Sequence, residues 1–177
     1  MKIAVLGYSG CGKSTLAARL GKKHGIPVLH MDTIQFLPGW VVRPMEEKQQ
    51  LMLEFLDRND QWVIDGNYSA LYQPRRLAEA DQIVLMEFNR FACLFRAWKR
   101  YRKYRGQARA SMAEGCPEKM DAAFVRWILW EGRTKRKHQA FRDIEAKYPG
   151  KVTVIRNQRQ LDDYMRRENI PAETTGG

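Results

Sequence analysis

The stretch Lys2-Ile-Ala-Val-Leu-Gly-Tyr-Ser-Gly-Cys-Gly-Lys-Ser-Thr15 decides the reading of this chain. An apolar run, Ile3 to Leu6, leads straight into Gly7-x-x-x-x-Gly12-Lys13-Ser14, and residues of helical character follow. A Walker A pattern binds phosphate when it lies in this context, between a strand and a helix. Its glycines permit a tight turn that aims consecutive backbone N–H groups inward, and the helix opening at Lys13 adds the positive end of its dipole. The pattern therefore assigns phosphate contacts to Gly7, Ser9, Gly10, Cys11, Gly12, Lys13, Ser14 and Thr15. Lys13 is expected to reach the β- and γ-phosphates of a nucleotide, and the Ser14 hydroxyl to ligate Mg²⁺. A glycine-rich turn without a ligand is the plain alternative, and the flanking strand and helix argue against it.

A chain of 177 residues is long enough for one domain with a sizeable core, and 44% hydrophobic with 29% charged residues is a soluble, globular composition. No apolar run reaches membrane-spanning length, and Met1-Lys2 leaves no room for a signal peptide before the first strand. The expectation is a cytoplasmic protein with no membrane partner. Cys11, Cys93 and Cys116 are widely separated and odd in number, so they form neither a disulfide framework nor a zinc-ligand spacing. Cys11 could be a thiolate activated by the helix N-terminus, but such a residue is more often a small filler in the loop. The net charge of +11 favours polyanionic partners, including nucleotides and non-specific nucleic acid.

Strand and helix signals alternate to the end of the chain, which predicts a five-stranded parallel sheet flanked by helices. Strands are expected at Ile3–Leu6, Ile26–Leu29, Trp62–Ile64, Gln82–Met86 and Val152–Ile155. A loop is expected through Phe36 and Trp40, with Pro44 as first residue of the helix that follows. Phe91, Leu94, Phe95 and Trp98 recur at helical spacing and are expected to face the core. A basic segment from Tyr104 to Pro117 interrupts the order, and a long helical region from Asp121 to Lys147 should break near Gly132. The end of the chain, residues 171–177, is expected to fray.

Ligands of open α/β sheets bind beyond the carboxyl ends of the strands, where Asp32, Asp65 and Glu87 fall. Asp65 follows Trp-Val-Ile as a Mg²⁺-linked carboxylate should, although a turn aspartate before Gly66 would look the same. Asp32 suits a base or hydrogen-bonding anchor for a phosphoryl acceptor, or else a helix cap; His30 reads as structural. Between Arg90 and Arg109 every charged residue is basic. Arg96, Arg100 and Lys103 share a helix face, and Arg126 and Arg133 lie two turns apart on another. Arginines without acidic partners suit phosphates gripped in a transition state; a solvated basic face is the bland alternative.

With these residues in view, the chain resembles the adenylate kinase-like P-loop kinases, and within them the DNA topology modulation protein group. The likeness rests on the loop, on His30-Met-Asp32, on Trp62-Val-Ile-Asp-Gly-Asn-Tyr68, on Arg76-Leu-Ala-Glu-Ala-Asp81 and on Gly115-Cys-Pro-Glu-Lys119 before Trp127-Ile. It implies an acceptor-binding segment at about 30–60 and a lid at about 102–121 within one domain spanning residues 1–177. Arg96 and Arg100 match the arginine pair before the lid of adenylate kinases, and Arg126 and Arg133 are counterparts of those after it. The implied activity is transfer of the γ-phosphoryl of ATP, with Mg²⁺, to a small acceptor, with Asp32, Arg43, Asn67 and Arg76 on the acceptor side. Adenylate kinases follow the Asp-Gly with Phe-Pro-Arg, whereas Asn67-Tyr68-Ser69 stands here, so the grip on an acceptor phosphate falls to Arg75 or Arg76 or is missing. A single lid cysteine excludes the zinc-bearing lid. The rival reading, suggested by the group's name and the +11 charge, is a DNA-associated nucleotide-binding protein with little or no kinase activity. A plain NTPase without an acceptor is a third.

Overall fold

The computed structural model describes residues 1–107 and 109–170; the expected fraying of 171–177 lies outside the described residues. Its centre is β1 (Lys2–Gly7), whose residues from Ile3 onward are buried, as the unbroken apolar run requires of a strand covered on both faces. The other strands of the sheet are β2 (Val28–His30), β5 (Trp62–Asp65), β6 (Gln82–Met86) and β7 (Val152–Ile155), all parallel, in the order β2-β5-β1-β6-β7. In this register β1 ends on Gly7 beside Met86, and β2 ends on His30 beside Asp65, so one edge of the sheet collects the loop and both acidic segments.

The helices are α1 (Lys13–His24), α2 (Met31–Gln35), α3 (Met45–Arg58), α4 (Gln73–Glu79), α5 (Arg90–Lys103), α6 (Ala122–Leu129), α7 (Lys135–Lys147) and α8 (Gln158–Arg167). Leu16, Ala17 and Leu20 give α1 its buried face, and Lys22, Lys23 and His24 complement the dipole at its end. Asn89, Asp121, Thr134 and Asn157 cap α5, α6, α7 and α8 by accepting from a backbone N–H of the first turn. No helix among the described residues is long and apolar enough to cross a membrane.

Several expectations need correction. β2 begins at Val28, two residues late, because Pro27 has no N–H to give a ladder; its carbonyl still accepts from Val63 N at 2.9 Å. The expected loop at Phe36–Trp40 is a small antiparallel hairpin, β3 (Phe36–Leu37) and β4 (Val41–Val42), joined by a 3₁₀ turn at Pro38–Trp40. Pro44 caps α3 instead of starting it. The 121–147 region breaks as expected, into α6, a 3₁₀ turn at Glu131–Arg133 and α7, so Arg126 and Arg133 no longer share a helix face.

The aromatic stripe of α5 is the largest reversal. Phe91, Phe95 and Trp98 are 72%, 55% and 42% exposed, while Leu94 packs against the core as expected and Cys93 and Ala97 face inward. The cause is the closeness of the loop: a Cβ on Gly10 would stand 2.5 Å from the Cys93 carbonyl oxygen. Only small side chains fit between α5 and a backbone so near, and the large rings are left on the far side.

Candidate phosphate-binding site

The loop leaves β1 through Gly7 at φ 146°, where a Cβ would stand 2.3 Å from the Met86 carbonyl oxygen, so no other residue fits. Gly10 and Gly12 also take positive φ. Asn67 holds the start of the loop from below. Its Oδ1 accepts from Gly7 N at 3.0 Å and its Nδ2 donates to Gly7 O at 2.6 Å. α1 then opens with no side-chain cap and no acidic residue in its first turn, which leaves its N-terminal amides and dipole for an anion. Lys13 Nζ folds back over the loop and donates to Tyr8 O at 3.0 Å. Ser9, Cys11, Ser14 and Thr15 complete this arc, with Cys11 fully buried.

Two arginines from outside the loop close on it. Arg96 of α5 donates to Cys11 O at 2.8 Å, lies over the Phe88 ring at 4.2 Å and is bonded to Gln158 of α8. Arg133 lies over Tyr8 at 4.0 Å and donates to Ile128 O at 3.0 Å and to Cys93 Sγ at 3.1 Å. Burial pushes the Cys93 thiol up to about 11, so it meets Arg133 as a neutral S–H group. Trp127 of α6 donates its indole N–H to Ser9 Oγ at 3.0 Å. Arg126, by contrast, turns to solvent and pairs with Glu131 at 2.6 Å. Between the opening of α1, the outer side of α5 and α8 lies a cavity of about 600 Å³, reached past Gly12 and lined by Thr15, Arg19, Phe95, Arg96, Asn157 and Gln158.

The second half of the site lies beyond β2 and β5. His30 Nδ1 and Asp65 Oδ2 are hydrogen-bonded at 2.8 Å, and Asp65 is buried. Tyr68 donates its hydroxyl to Asp32 Oδ1 at 2.6 Å. Burial first, and then the Asp32 carboxylate, hold the Tyr68 phenol far above its ordinary pKa, so it remains a donor. The other residues expected on the acceptor side are engaged elsewhere. Arg43 donates to Ile34 O at 3.1 Å and pairs with Glu47 at 3.4 Å, and Asn67 is the clamp on Gly7. Arg76 is fully buried and donates to Leu71 O at 2.8 Å and Tyr68 O at 2.9 Å. Its guanidinium braces the 68–72 turn and does not face solvent. Arg75 pairs with Asp57 and Glu79.

The segment between α5 and α6, where a lid was expected, is docked on the β3–β4 hairpin. Gly39 N donates to Gly115 O at 3.0 Å, the Cys116 thiol to Leu37 O at 3.3 Å, and Lys119 lies 4.7 Å over Trp40. Beneath that contact the buried Glu118 carboxylate takes Arg100 Nε at 3.1 Å on one oxygen and Arg109 on the other. Burial, and then neighbouring Arg109, lower the Arg100 pKa, and Asp32 is within electrostatic reach of the same group. Of the arginines expected to lack acidic partners, Arg100, Arg109 and Arg126 thus find them in Glu118 and Glu131, whereas Arg96 and Arg133 are held by carbonyls, Gln158 and the Cys93 thiol. Asn67, Tyr68, Glu118 and Trp127 are contacts that spacing alone did not show. Three of them lie in the Asp-Gly-Asn-Tyr and Gly-Cys-Pro-Glu-Lys segments already singled out.

No protein-family model and no curated protein sequence matches the chain. Among solved structures it is similar to shikimate kinase from Bacteroides thetaiotaomicron, with a TM-score of 0.50 at 13% identity over 96% of both chains. It is also similar, with a TM-score of 0.49 at 12% identity, to an uncharacterized protein from Eubacterium ventriosum ATCC 27560, over 96% of this chain and 97% of that one. The architecture is therefore the α/β P-loop fold in which shikimate kinase is built.

Proposed function

We propose that the protein is an ATP- and Mg²⁺-dependent phosphotransferase that moves the γ-phosphoryl group to a small hydroxyl or phosphate acceptor. The observation that carries this reading is the meeting of Arg96 and Arg133 on the loop that ends in an uncapped helix. A loop that only bound nucleotide would not need two further guanidinium groups anchored against it. Charge preorganised in this way lowers the barrier where negative charge develops. The loop amides and Lys13 take the β- and γ-phosphates, and the cavity beside Thr15 and Phe95 takes the base.

The donor set suits Mg²⁺, which prefers phosphate oxygens and water with one or two protein ligands. Ser14 and Asp65 would hold it, Asp65 engaging only one oxygen with His30 among the described residues. Bound there, the ion would neutralise phosphate charge. In the transfer the acceptor oxygen attacks the γ-phosphorus, the bond from that phosphorus to the β,γ-bridging oxygen breaks, and ADP leaves. The acceptor proton passes late to the Asp32 carboxylate, which Tyr68 orients. Arg100 meets the moving phosphoryl group when the lid shifts off Glu118, and the exposed Arg126 follows it inward.

The acceptor side carries Asp32 and Asp65, while Arg43, Arg75 and Arg76 are taken up by carbonyls and carboxylates. This favours a hydroxyl compound over a nucleoside monophosphate. The finer likeness, to the DNA topology modulation group, is supported by the tasks of its two segments: Asn67 clamps the loop and Gly115–Lys119 docks the lid. Three buried free cysteines suit a reducing cytoplasm. The test is ADP release from ATP and Mg²⁺ against a panel of nucleotides, nucleosides and small hydroxyl compounds. Release that depends on one class of acceptor supports the proposal; hydrolysis indifferent to every acceptor would sink it.

A further inference from the structure

Apart from Phe95 and Lys99, which border the nucleotide cavity, the solvent face of α5 has no task in the reaction. Phe91, Phe95, Trp98 and Arg102 succeed one another at intervals of four, three and four residues, so they form one exposed stripe along the helix. The Phe95 and Trp98 rings are nearly parallel, 24° apart with centroids 6.0 Å distant. Lys99 Nζ lies 5.0 Å over Phe95 and the Arg102 guanidinium 4.9 Å over Trp98. Arg90 and Lys103 flank the stripe, and no acidic residue occurs between Arg90 and Arg109. Exposed rings interleaved with cations are a chemistry distinct from the loop, where the charges meet backbone carbonyls and a glutamine.

We propose that this stripe binds single-stranded nucleic acid, its rings stacking on bases and its cations meeting the phosphates between them. The charge balance selects a polyanion. A second copy of this chain would bring two +11 molecules together with their basic flanks facing, which like charges oppose. A lipid bilayer would have to accept Lys99 and Arg102 along with the rings they cover, and cations drawn into hydrocarbon are expelled. Nucleic acid satisfies both halves of the pattern. An exposed cation–π contact is weaker than stacking of a base on an aromatic ring, so an arriving base displaces the cation, which is then free for a phosphate. Ring positions along the helix advance by about 4.5–6 Å, wider than the ~3.4 Å step of a duplex strand. Unpaired bases can splay to that spacing, whereas a duplex presents no free base faces to the rings.

The test uses the full chain and a fluorescein-labelled oligothymidylate of about 12 nucleotides, read by anisotropy at ~0.15 M salt. Phe91→Ala and Trp98→Ala are the informative variants, since neither side chain lines the nucleotide cavity and both are exposed. Each should weaken binding by about tenfold or more, with thermal melting and any ATP turnover unchanged, and Trp98→Tyr should restore most of the loss. The duplex of equal length should bind more weakly and lose affinity only with salt. Several results would each overturn the proposal: equal affinity in the alanine variants, no complex at that salt, preference for the duplex, or binding to phosphatidylserine vesicles in place of the oligonucleotide.

Discussion

Lys13 rests its ammonium on the Tyr8 carbonyl, a neutral acceptor that a phosphate oxygen would outcompete. Lys13→Ala is expected to lower phosphoryl transfer by ~10²-fold or more with an unchanged melting curve, because the side chain spans a loop and fills no core. The carboxylates should divide by role. Asp65→Asn is expected to raise the Mg²⁺ concentration for half-maximal activity, and Asp32→Asn to impair acceptor use with ATP binding intact; the same loss of ATP affinity in both would contradict the assignment. Cys93 supplies a pH signature. Its thiol is held up to about 11 by burial, above the usual value near 9.0, so the folded state keeps a proton that the unfolded state has released. Stability contributed this way is full below about pH 9 and is lost as pH rises toward 11. Cys93→Ala should flatten that part of a denaturation-against-pH curve. At this scale the loop was legible because its chemistry is local, carried by glycines and a lysine a few residues apart. The clamp of Asn67 on Gly7 was not, since 60 residues separate the partners and no spacing rule links them.

The elements most in need of explanation are α5 and the lid. An apolar stripe at helical spacing ordinarily marks the buried face, and here its three aromatic members mark the exposed one while Leu94 alone packs against the core, because the inward face must admit the loop backbone at Cys93. Periodicity finds a stripe, but it cannot tell which side a neighbouring backbone crowds. The proposed lid and the hairpin form one unit, with Gly115 against Pro38 and Glu118 beneath. Breaking a buried ion pair from one side typically costs about 3–5 kcal/mol; the partial solvent access of Arg100 and Arg109 reduces that, to about 1–3 kcal/mol. Glu118→Gln is therefore expected to lower the melting temperature and to speed limited proteolysis within residues 104–121. Protection equal to the parent would mean that the hairpin contacts alone hold the lid. The hairpin itself escaped the sequence because its strands are two residues each, too short for alternation to register.

Across the whole molecule, the sheet was legible because its three central strands, β1, β5 and β6, are apolar runs buried on both faces, and the alternation of strand with helix leaves a parallel arrangement as the natural outcome. The distribution of arginines was not. Net charge of +11 says that cations exceed anions, but not that Glu118 and Glu131 would each claim arginines beside the site. Part of the basic surplus gathers at the phosphate loop and along the outer side of α5, while the rest is spread over exposed positions such as Lys135, Arg136 and Arg142 of α7 and Arg159 of α8. The most direct measurement of the central claim follows label from ATP radiolabelled in the γ-position, with Mg²⁺ and the acceptor panel, in the parent chain and in Arg96→Ala. Label is expected in an organic product, at a rate lowered by ~10²-fold in the variant. Label found only in inorganic phosphate, or transfer unaffected by loss of Arg96, would contradict it.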